Sequence, residues 1–300
     1  MNMPDTAAIG IDVGGTQIRA ARISAAGDVL AWVAQPTAPE PVLVIAQMRE
    51  LARQVDAAGV SAIGVGVPGR VDSRRGRVLS GGYVDLSGLS LVEMLDDARE
   101  RPVLLDNDGN MAIVGEHAAG SARLAETVVM FTIGTGIGGA VIADGALLRG
   151  RAAAGQLGHL AVDRGGEVCL CGRRGCVETL SSGTALGRHV AAAGLPVGTS
   201  VDTLLVRMAE RDATARLVLT AWAAPMRRAI DSAVAAFDPD IVVLGGGLGA
   251  AMHRALAEFP AEAPWYQCAL VPATLGDRAG VIGAGLSALK HRAERLALSR

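Results

Sequence analysis

Aromatic side chains, cysteines and charged runs are all scarce in this 300-residue chain. Aromatic residues make up 3% of the sequence, so Ala, Val, Leu and Ile must fill the core. The formal net charge is −2 and no long basic run occurs, which gives no electrostatic footprint for nucleic acid. No basic stretch followed by an apolar one opens the chain, so we expect no signal peptide.

Long uninterrupted hydrophobic runs are also missing. The most apolar segment, residues 127–143, is broken by glycines and threonines. It therefore predicts two buried strands joined by a turn, and no association with a membrane. Half of the residues are hydrophobic and 19% are charged, which is typical of a globular protein.

Glycine, in contrast, is abundant, and many of the 39 glycines fall in short clusters. Three clusters follow apolar strands: Gly14-Gly15, residues 134–139 and Gly245 to Gly247. Glycine lets backbone N–H groups approach phosphate oxygens closely, and a neighbouring threonine hydroxyl adds a donor. These loops therefore favour polyphosphate binding, with Asp12 as a candidate for Mg²⁺. For each loop, a plain hairpin turn without a ligand is the alternative.

A coarse duplication runs through the chain. Each half begins with a strand, a glycine turn that carries a threonine, and a second strand, and later alternates helices with buried strands. This pattern predicts an α/β protein with two domains, mixed sheets and a ligand in the cleft between them. We place the smaller domain at residues 1–115, the larger at 116–283, and a terminal helix at about 284–300 that packs back on the smaller domain.

Three of the four cysteines lie within eight residues, close to a histidine. Zinc takes four nitrogen or sulfur ligands in a tetrahedron, and His159, Cys169, Cys171 and Cys176 supply four. Because four protein ligands leave no open position, we predict a structural zinc site in a cytoplasmic protein. Free or redox-active thiols are the alternative. Cys268 stands apart and is expected to be a buried, inert thiol.

Two carboxylates, Asp106 and Asp108, follow a short apolar strand. A carboxylate at such a strand end can accept the proton of a hydroxyl group that attacks phosphate. Capping of the next helix is the alternative role for Asp108.

Several segments together resemble the ROK family of bacterial sugar kinases and related repressors: IGIDVGGTQIRAARI, GVGVPG, DNDGNMAIVGEHAAG, TIGTGIGGAVIADGALLRGRAAAGQLGH and CLCGRRGCVETL. The resemblance implies a fold similar to actin and hexokinase, with Mg-ATP held by paired glycine hairpins. It implies phosphate or Mg²⁺ contacts from Asp12, Gly14, Gly15, Thr16, Gly134, Thr135, Gly136 and Gly138, and adenosine near Gly245, Gly246 and Gly247.

The family pattern Asn-Asp selects Asn107 for sugar binding and Asp108 as the general base. By the same resemblance, sugar contacts are expected from Gly69, Asn107, Asp108, Gln156, His159 and Glu178. Two departures bear on the sugar. Gln156 stands where relatives have a carboxylate, and Asp85 to Leu89 replaces a motif with asparagine and tryptophan. Either the chain binds a different sugar from its relatives, or the replacement of the carboxylate by Gln156 costs little affinity for the usual hexose.

The first functional hypothesis is an ATP-dependent hexose kinase that acts on the 6-hydroxyl group of glucose. The second is a kinase for N-acetylglucosamine or N-acetylmannosamine, which would share every motif above. A non-catalytic sugar-binding protein and a sugar-responsive regulator are further alternatives. The family resemblance also leads us to expect a homodimer or homotetramer.

Overall fold

A computed structural model describes residues 6–82, 84–95, 100–261 and 263–298. The chain divides into two compact units. The first comprises the chain up to Arg123, the segment Arg149–Ala154, and the chain from Asp277 onward. The second comprises Leu124–Leu148 and Gly155–Gly276. A boundary at 115/116 would fall inside the helix Asp108–Ala119, and the short excursion at Arg149–Ala154 has no counterpart in the sequence-based division.

The first unit is built on a five-stranded mixed sheet of order β3-β2-β1-β4-β7. Its first three strands form an antiparallel meander, whereas β4 and β7 run parallel to β1. The elements are β1 (Ala7–Val13), β2 (Gln17–Ser24), β3 (Val29–Pro36), α1 (Pro41–Val55), β4 (Val60–Val67), β5 (Arg70–Asp72), β6 (Arg77–Ser80), α2 (Leu91–Leu95), β7 (Val103–Asn107), α3 (Asp108–Ala119) and α9 (Ala279–Leu298).

The terminal helix α9 packs on this sheet at very short range. Gly10 of β1 faces the carbonyl oxygen of Val281, and Gly64 of β4 faces that of Ala284. A Cβ atom at either glycine would collide with the helix backbone, so no larger residue fits there. The helix predicted at about 284–300 thus begins earlier, at Ala279, because this close packing extends to its first turn.

The second unit repeats the same sheet design, in the order β10-β9-β8-β11-β12. Again a three-stranded antiparallel meander is extended by two parallel strands, which confirms the duplication and the mixed α/β class. The elements are β8 (Val128–Ile133), β9 (Ile137–Ala143), β10 (Ala146–Leu147), α4 (Glu178–Ser181), α5 (Gly183–Ala192), α6 (Val201–Ala209), α7 (Ala213–Phe237), β11 (Ile241–Gly245), α8 (Gly249–Leu256) and β12 (Ala269–Pro272).

One stretch differs from its sequence-based interpretation. The sequence pattern of residues 204–237 is strongly helical, but the structure breaks this stretch between α6 and α7. Arg211 adopts a left-handed conformation (φ 65°), and Asp212 caps α7 by accepting hydrogen bonds from the N–H groups of Thr214 and Ala215. Residues 127–143 form β8 and β9 as expected, and within the described residues no helix is long and apolar enough to cross a membrane.

Candidate active site and metal centre

The first glycine hairpin connects β1 to β2 in the first unit. Its turn is closed by a hydrogen bond from the Gly14 N–H to the carbonyl of Gln17, at 2.9 Å. The hydroxyl of Thr37 donates to the carbonyl of Gly14 at 2.7 Å, which holds the turn from the side. Gly15 and Thr16 are exposed at its tip. The tip thus presents backbone N–H groups and one hydroxyl to solvent, as an anion-binding loop requires.

Asp12, at the end of β1, carries a carboxylate that is only 16% exposed. Burial raises its pKa to about 6, although the Arg19 guanidinium 3.5 Å away opposes that rise. Arg19 also pairs with Asp277 at 3.0 Å. A Cβ atom added at Gly280 of α9 would be 2.7 Å from the Asp12 Cγ, so the backbone of α9 lies directly against this carboxylate.

The junction between β7 and α3 places three polar side chains in a row. The structure separates the roles of the two neighbouring carboxylates. Asp106 is 1% exposed, and its oxygens accept hydrogen bonds from the Asn107 N–H, the Asn110 amide and Arg149. Asp106 is therefore occupied within the protein and has no free oxygen for a substrate.

Asn107, and not Asp108, caps helix α3. Its Oδ1 accepts a hydrogen bond from the Asn110 N–H at 3.2 Å, while its Nδ2 donates to the Gly69 carbonyl at 2.9 Å and to the Asp108 Oδ1 at 2.8 Å. Gly69 has φ +96°, which only glycine adopts without strain, so its carbonyl can turn toward Asn107. The alternative that Asp108 merely caps the helix is wrong, because Asn107 fills that position.

Asp108 is the first residue of α3, and its side chain is partly exposed. Its Oδ1 accepts hydrogen bonds from Asn107 and from the Gly109 N–H, both at 2.8 Å, whereas no described residue donates to Oδ2. Desolvation, followed by the nearby charge of Asp12, raises the pKa of Asp108 to about 7. A carboxylate with one free oxygen and a pKa near neutrality is suited to general-base catalysis.

The second glycine hairpin connects β8 to β9 in the second unit. The Gly134 N–H donates to the Gly136 carbonyl at 2.9 Å, and Thr135 is exposed at the tip. Gly138 lies in β9 directly opposite Thr132, whose Oγ1 would be 2.5 Å from an added Cβ. This hairpin is therefore the counterpart of the first one.

The third glycine cluster begins at the last residue of β11, and Leu248, the residue after the cluster, lines a cavity of about 430 Å³ in the second unit. Gly246 takes a left-handed conformation (φ 76°), and Leu248 donates its N–H to the Ile133 carbonyl at 2.9 Å. Gly183 donates its N–H to the Gly134 carbonyl at 2.8 Å, so the cavity also adjoins the second hairpin. The cavity is lined by Gly183, Leu186, Gly187, Val190, residues 198–202, Leu248 and Ala251.

The four predicted metal ligands come together in the second unit. One atom each of His159, Cys169, Cys171 and Cys176 lies within 4.8 Å of the others. The His159 Nδ1 is 3.5 Å from the Cys169 Sγ, and the Sγ atoms of Cys171 and Cys176 are 3.6 Å apart. Zinc bonds of about 2.3 Å to sulfur in a tetrahedron separate two ligands by roughly this distance. The donor set and its spacing therefore fit zinc.

Two positive-φ glycines shape the loop around this cluster. Gly172 (φ 85°) donates its N–H to the Cys169 carbonyl at 2.8 Å, and Cys169 donates its own to the Arg173 carbonyl at 2.7 Å. At Gly175 (φ 67°), a Cβ would collide with the carbonyl oxygen of Asp163. Larger residues at these positions would prevent the tight turn that gathers the thiols.

The remaining predicted sugar contacts of the second unit surround this loop. Glu178, at the start of α4, accepts a hydrogen bond on Oε2 from the Ile137 N–H at 2.9 Å, which links the cysteine loop to the second hairpin. Gln156 precedes the short 3₁₀ turn Leu157–His159 and accepts from the His159 N–H on its main-chain carbonyl. The side chain of Gln156 makes no hydrogen bond to another described residue.

Two sheets of identical topology, each opening with a glycine hairpin, define an actin/hexokinase-like two-domain α/β protein. The chain belongs to the ROK family, whose family model matches residues 8–291. It is 31% identical to the glucokinase of Thermotoga maritima, over 97% of this chain and 99% of that one. It is 32% identical to the N-acetylmannosamine kinase of Escherichia coli O7:K1, over 95% of this chain and 99% of that one.

Solved structures agree with these relationships. A ROK hexokinase from Thermus thermophilus superposes with a TM-score of 0.78 at 35% identity, covering 96% of this chain and all of that one. A ROK-family glucokinase from Streptomyces griseus, in complex with glucose and AMPPNP, gives a TM-score of 0.79 at 26% identity. That match covers 95% of this chain and 99% of that one.

Sequence reasoning missed two features of the site. The cavity beside the third glycine cluster is formed by α5 and residues 198–202 together with Leu248 and Ala251, which lie far from them in sequence. Arg149, which pairs with Asp106 at 2.6 Å, was also not singled out. For Arg149 the only signal was its place at the head of the segment RGRAAAGQLGH, and arginines are too common for that signal to select it.

Proposed function

We propose that this chain is an ATP-dependent hexose kinase that phosphorylates the 6-hydroxyl group of glucose. The observation that carries the proposal is Asp108, a carboxylate with a free oxygen and a raised pKa at a strand-to-helix junction. Kinship with glucokinase over 97% of the chain supports the choice of reaction and substrate.

In this mechanism Asp108 acts as the general base. As its Oδ2 accepts the proton of the 6-hydroxyl group, the sugar oxygen forms a bond to the γ-phosphorus of ATP. The bond from that phosphorus to the bridging oxygen breaks, and ADP leaves with the electron pair. Asn107 holds Asp108 through its Nδ2, and it retains a lone pair on Oδ1 for a sugar hydroxyl group.

The second unit supplies further sugar contacts in this proposal. The His159 Nδ1 faces the cysteines, so the opposite ring nitrogen, Nε2, is the one assigned to a hydroxyl group. Glu178 uses Oε2 for the Ile137 N–H, and its Oε1, which lies 4.0 Å from the Cys169 Sγ, is assigned to the sugar. The amide of Gln156 offers both donors and an acceptor.

The two hairpins are proposed to bind the phosphates of ATP. Gly14, Gly15 and Thr16 act from the first unit, while Gly134, Thr135, Gly136 and Gly138 act from the second. Asp12 fits a Mg²⁺ site, because Mg²⁺ is commonly held by one or two carboxylates together with substrate phosphates. When bound, Mg²⁺ neutralises charge on the phosphates.

Adenosine is assigned to the cavity beside Gly245, Gly246 and Gly247. Its position between the second hairpin and this third cluster suits a nucleoside attached to phosphates, and about 430 Å³ lies within the usual range for ligand pockets. The half-buried side chain of Leu248 and the buried Leu186 offer apolar contacts for a base.

Replacement of Gly187 by leucine tests the adenosine assignment. Gly187 lines the cavity, and a Cβ added there meets nothing within 4 Å, so the new side chain extends into open space without backbone strain. We expect Gly187→Leu to raise KM for ATP at least about tenfold while KM for glucose stays within about twofold. Steady-state kinetics check this, with Gly187→Ala as the matched small control. An unchanged KM for ATP would place the nucleoside elsewhere.

The pH dependence of turnover tests the general base. Because Asp108 must be deprotonated to work and its pKa is about 7, kcat/KM for glucose should fall about tenfold per pH unit below pH 7. An unperturbed aspartate would instead keep the enzyme active to about pH 4. Initial rates between pH 5.5 and 8.5, with Tm followed in parallel to exclude unfolding, provide the measurement. A flat profile down to pH 5.5 would show that the pKa of Asp108 is not raised in the active enzyme.

A panel of sugars tests the function itself. ADP release would be measured with Mg-ATP and glucose, mannose, fructose, N-acetylglucosamine and N-acetylmannosamine. The proposal expects the highest kcat/KM for glucose. Silence with all five sugars would favour a non-catalytic sugar-binding protein or a substrate outside the panel.

A kinase for N-acetylhexosamines is the second candidate. Two observations favour it: the 32% identity to an N-acetylmannosamine kinase, and Gln156, whose neutral amide can donate a hydrogen bond to an acetyl carbonyl. A higher kcat/KM for either N-acetylated sugar in the same panel would select this candidate.

We further propose that the cysteine cluster holds a structural zinc ion in a cytoplasmic enzyme, where thiols remain reduced. All four positions of a tetrahedron are filled by protein ligands, so the ion would organise the loop and take no part in chemistry. A homodimer or homotetramer is the expected assembly, which light scattering after size-exclusion chromatography would measure.

A further inference from the structure

The Asp106 carboxylate is the hub of a buried hydrogen-bond network beside the proposed base. Its Oδ1 accepts from the Asn107 N–H and from the Asn110 Nδ2, both at 2.8 Å. Its Oδ2 accepts from the Arg149 Nε at 2.6 Å. At 1% exposure this anion has no access to water, so it depends on these three donors.

Arg149 supplies the only cation among the three donors. It lies after the strand β10, at the start of Arg149–Ala154, the segment that packs with the first unit. The Arg70 Nε donates to the Ala152 carbonyl at 3.4 Å and gives that segment a second attachment. The guanidinium is 36% exposed, and Asp106 is the one acidic partner that it contacts among the described residues.

The network leads directly to the reacting group. Asp106 fixes the backbone of Asn107, and the Asn107 side chain holds both the Gly69 carbonyl and the Asp108 Oδ1. The Asn110 amide, fixed by the same carboxylate, stands one turn along α3. The direction in which Asp108 projects thus depends on Asp106 through two hydrogen bonds.

We propose that Arg149 is a positioning residue for phosphoryl transfer: it holds Asp106, and through Asp106 it orients Asn107 and the base Asp108. The inference rests on the proposed kinase function. A general base works only within hydrogen-bond reach of its proton, and a misplacement of about 1 Å costs roughly 100-fold in rate. Arg149 itself touches neither the sugar nor the nucleotide in this scheme.

Arg149→Met is the decisive variant, with Arg151→Met as its control. Arg151 belongs to the same segment, is exposed, and makes no ion pair with a described residue. We expect Arg149→Met to lower kcat about 100-fold with KM for sugar and for ATP within about threefold. Arg149→Lys, which keeps the charge, should recover at least about tenfold of that loss. Arg151→Met should leave both constants unchanged.

The path through Asp106 is tested by a double mutant. If Arg149 acts through Asp106, Asp106→Asn/Arg149→Met should lose about as much kcat as Asp106→Asn alone, because the two changes break one network. Losses that multiply would overturn the proposal. So would wild-type kcat in Arg149→Met, or a rise in KM that accounts for its whole defect. If Arg149→Met does not fold, Arg149→Lys and Arg149→Gln are compared by the same criteria.

A measurement that does not depend on catalytic turnover separates this inference from the proposed function. Hydrogen exchange in the peptide that spans residues 103–112 should be faster in Arg149→Met and unchanged in Arg151→Met. If the wild type phosphorylates no sugar, the kinase assignment fails while the exchange still tests the network. If the wild type is active and exchange in Arg149→Met matches it, the positioning role fails alone.

Discussion

Asp108→Asn is expected to lower kcat by at least about 1,000-fold while sugar affinity stays within a few fold. The amide is nearly isosteric with the carboxylate and can still accept hydrogen bonds from Asn107 and Gly109, but it cannot take a proton from a hydroxyl group. General-base catalysis typically contributes 100-fold to 10,000-fold. Single-turnover rates and calorimetric sugar binding provide the two measurements, and near-normal turnover would remove Asp108 from the mechanism.

The same variant should be more stable than the wild type at alkaline pH. Because the folded protein raises the pKa of Asp108 from 3.8 to about 7, the ionised form is disfavoured on folding. The wild type therefore loses stability as the pH rises from about 4 to 7, and asparagine escapes that loss. We expect the Tm advantage of Asp108→Asn to widen between pH 5.5 and pH 8. If the difference in Tm between Asp108→Asn and the wild type is the same at both pH values, burial does not perturb the pKa of this carboxyl group.

The second large effect concerns the metal. Cys176 is fully buried in the cluster, so Cys176→Ser should abolish zinc binding and lower Tm by about 5–10 °C. Because the loop carries His159 and leads into Glu178, kcat/KM for the sugar should fall at least about 100-fold. Metal analysis of the wild type should find one zinc ion per chain.

Cys268→Ser is the matched control for this experiment. The Cys268 thiol lies outside the cluster and donates to the Pro239 carbonyl at 3.2 Å. Its replacement should leave the zinc content and kcat/KM unchanged. Zinc retained in Cys176→Ser would remove Cys176 from the ligand set, and a wild type without zinc would return the cluster to the alternative of free thiols.

The sequence predicted best where partners lie close together along the chain. The hairpins follow from glycines between alternating apolar residues, and the cysteine cluster follows from ligands spaced over eighteen residues with two positive-φ glycines between them. The junction at Asp106 to Asp108 was found because a short strand ends there. In each case the residues that determine the local structure lie close to one another in the sequence.

Long-range pairing explains most of what the sequence did not reveal. Asp106 and Arg149 are 43 residues apart, and nothing near either residue indicates the other. The break before α7 was missed because helical periodicity continues across it, while the left-handed residue is an arginine that carries no turn signal. Only the folded chain shows that both carboxylate oxygens of Asp106 accept hydrogen bonds from the protein, whereas the Oδ2 of Asp108 accepts none from a described residue.

The packing of α9 has a consequence for the order in which the protein matures on the ribosome. The faces of β1 and β4 that hold Gly10 and Gly64 are covered by the last helix of the chain. The part that is synthesised first therefore cannot complete its core until α9 has been synthesised, whereas the second unit, Leu124–Leu148 and Gly155–Gly276, can finish earlier. Nascent chains stalled before residue 279 should thus expose a half-covered sheet, which makes them natural clients for chaperones.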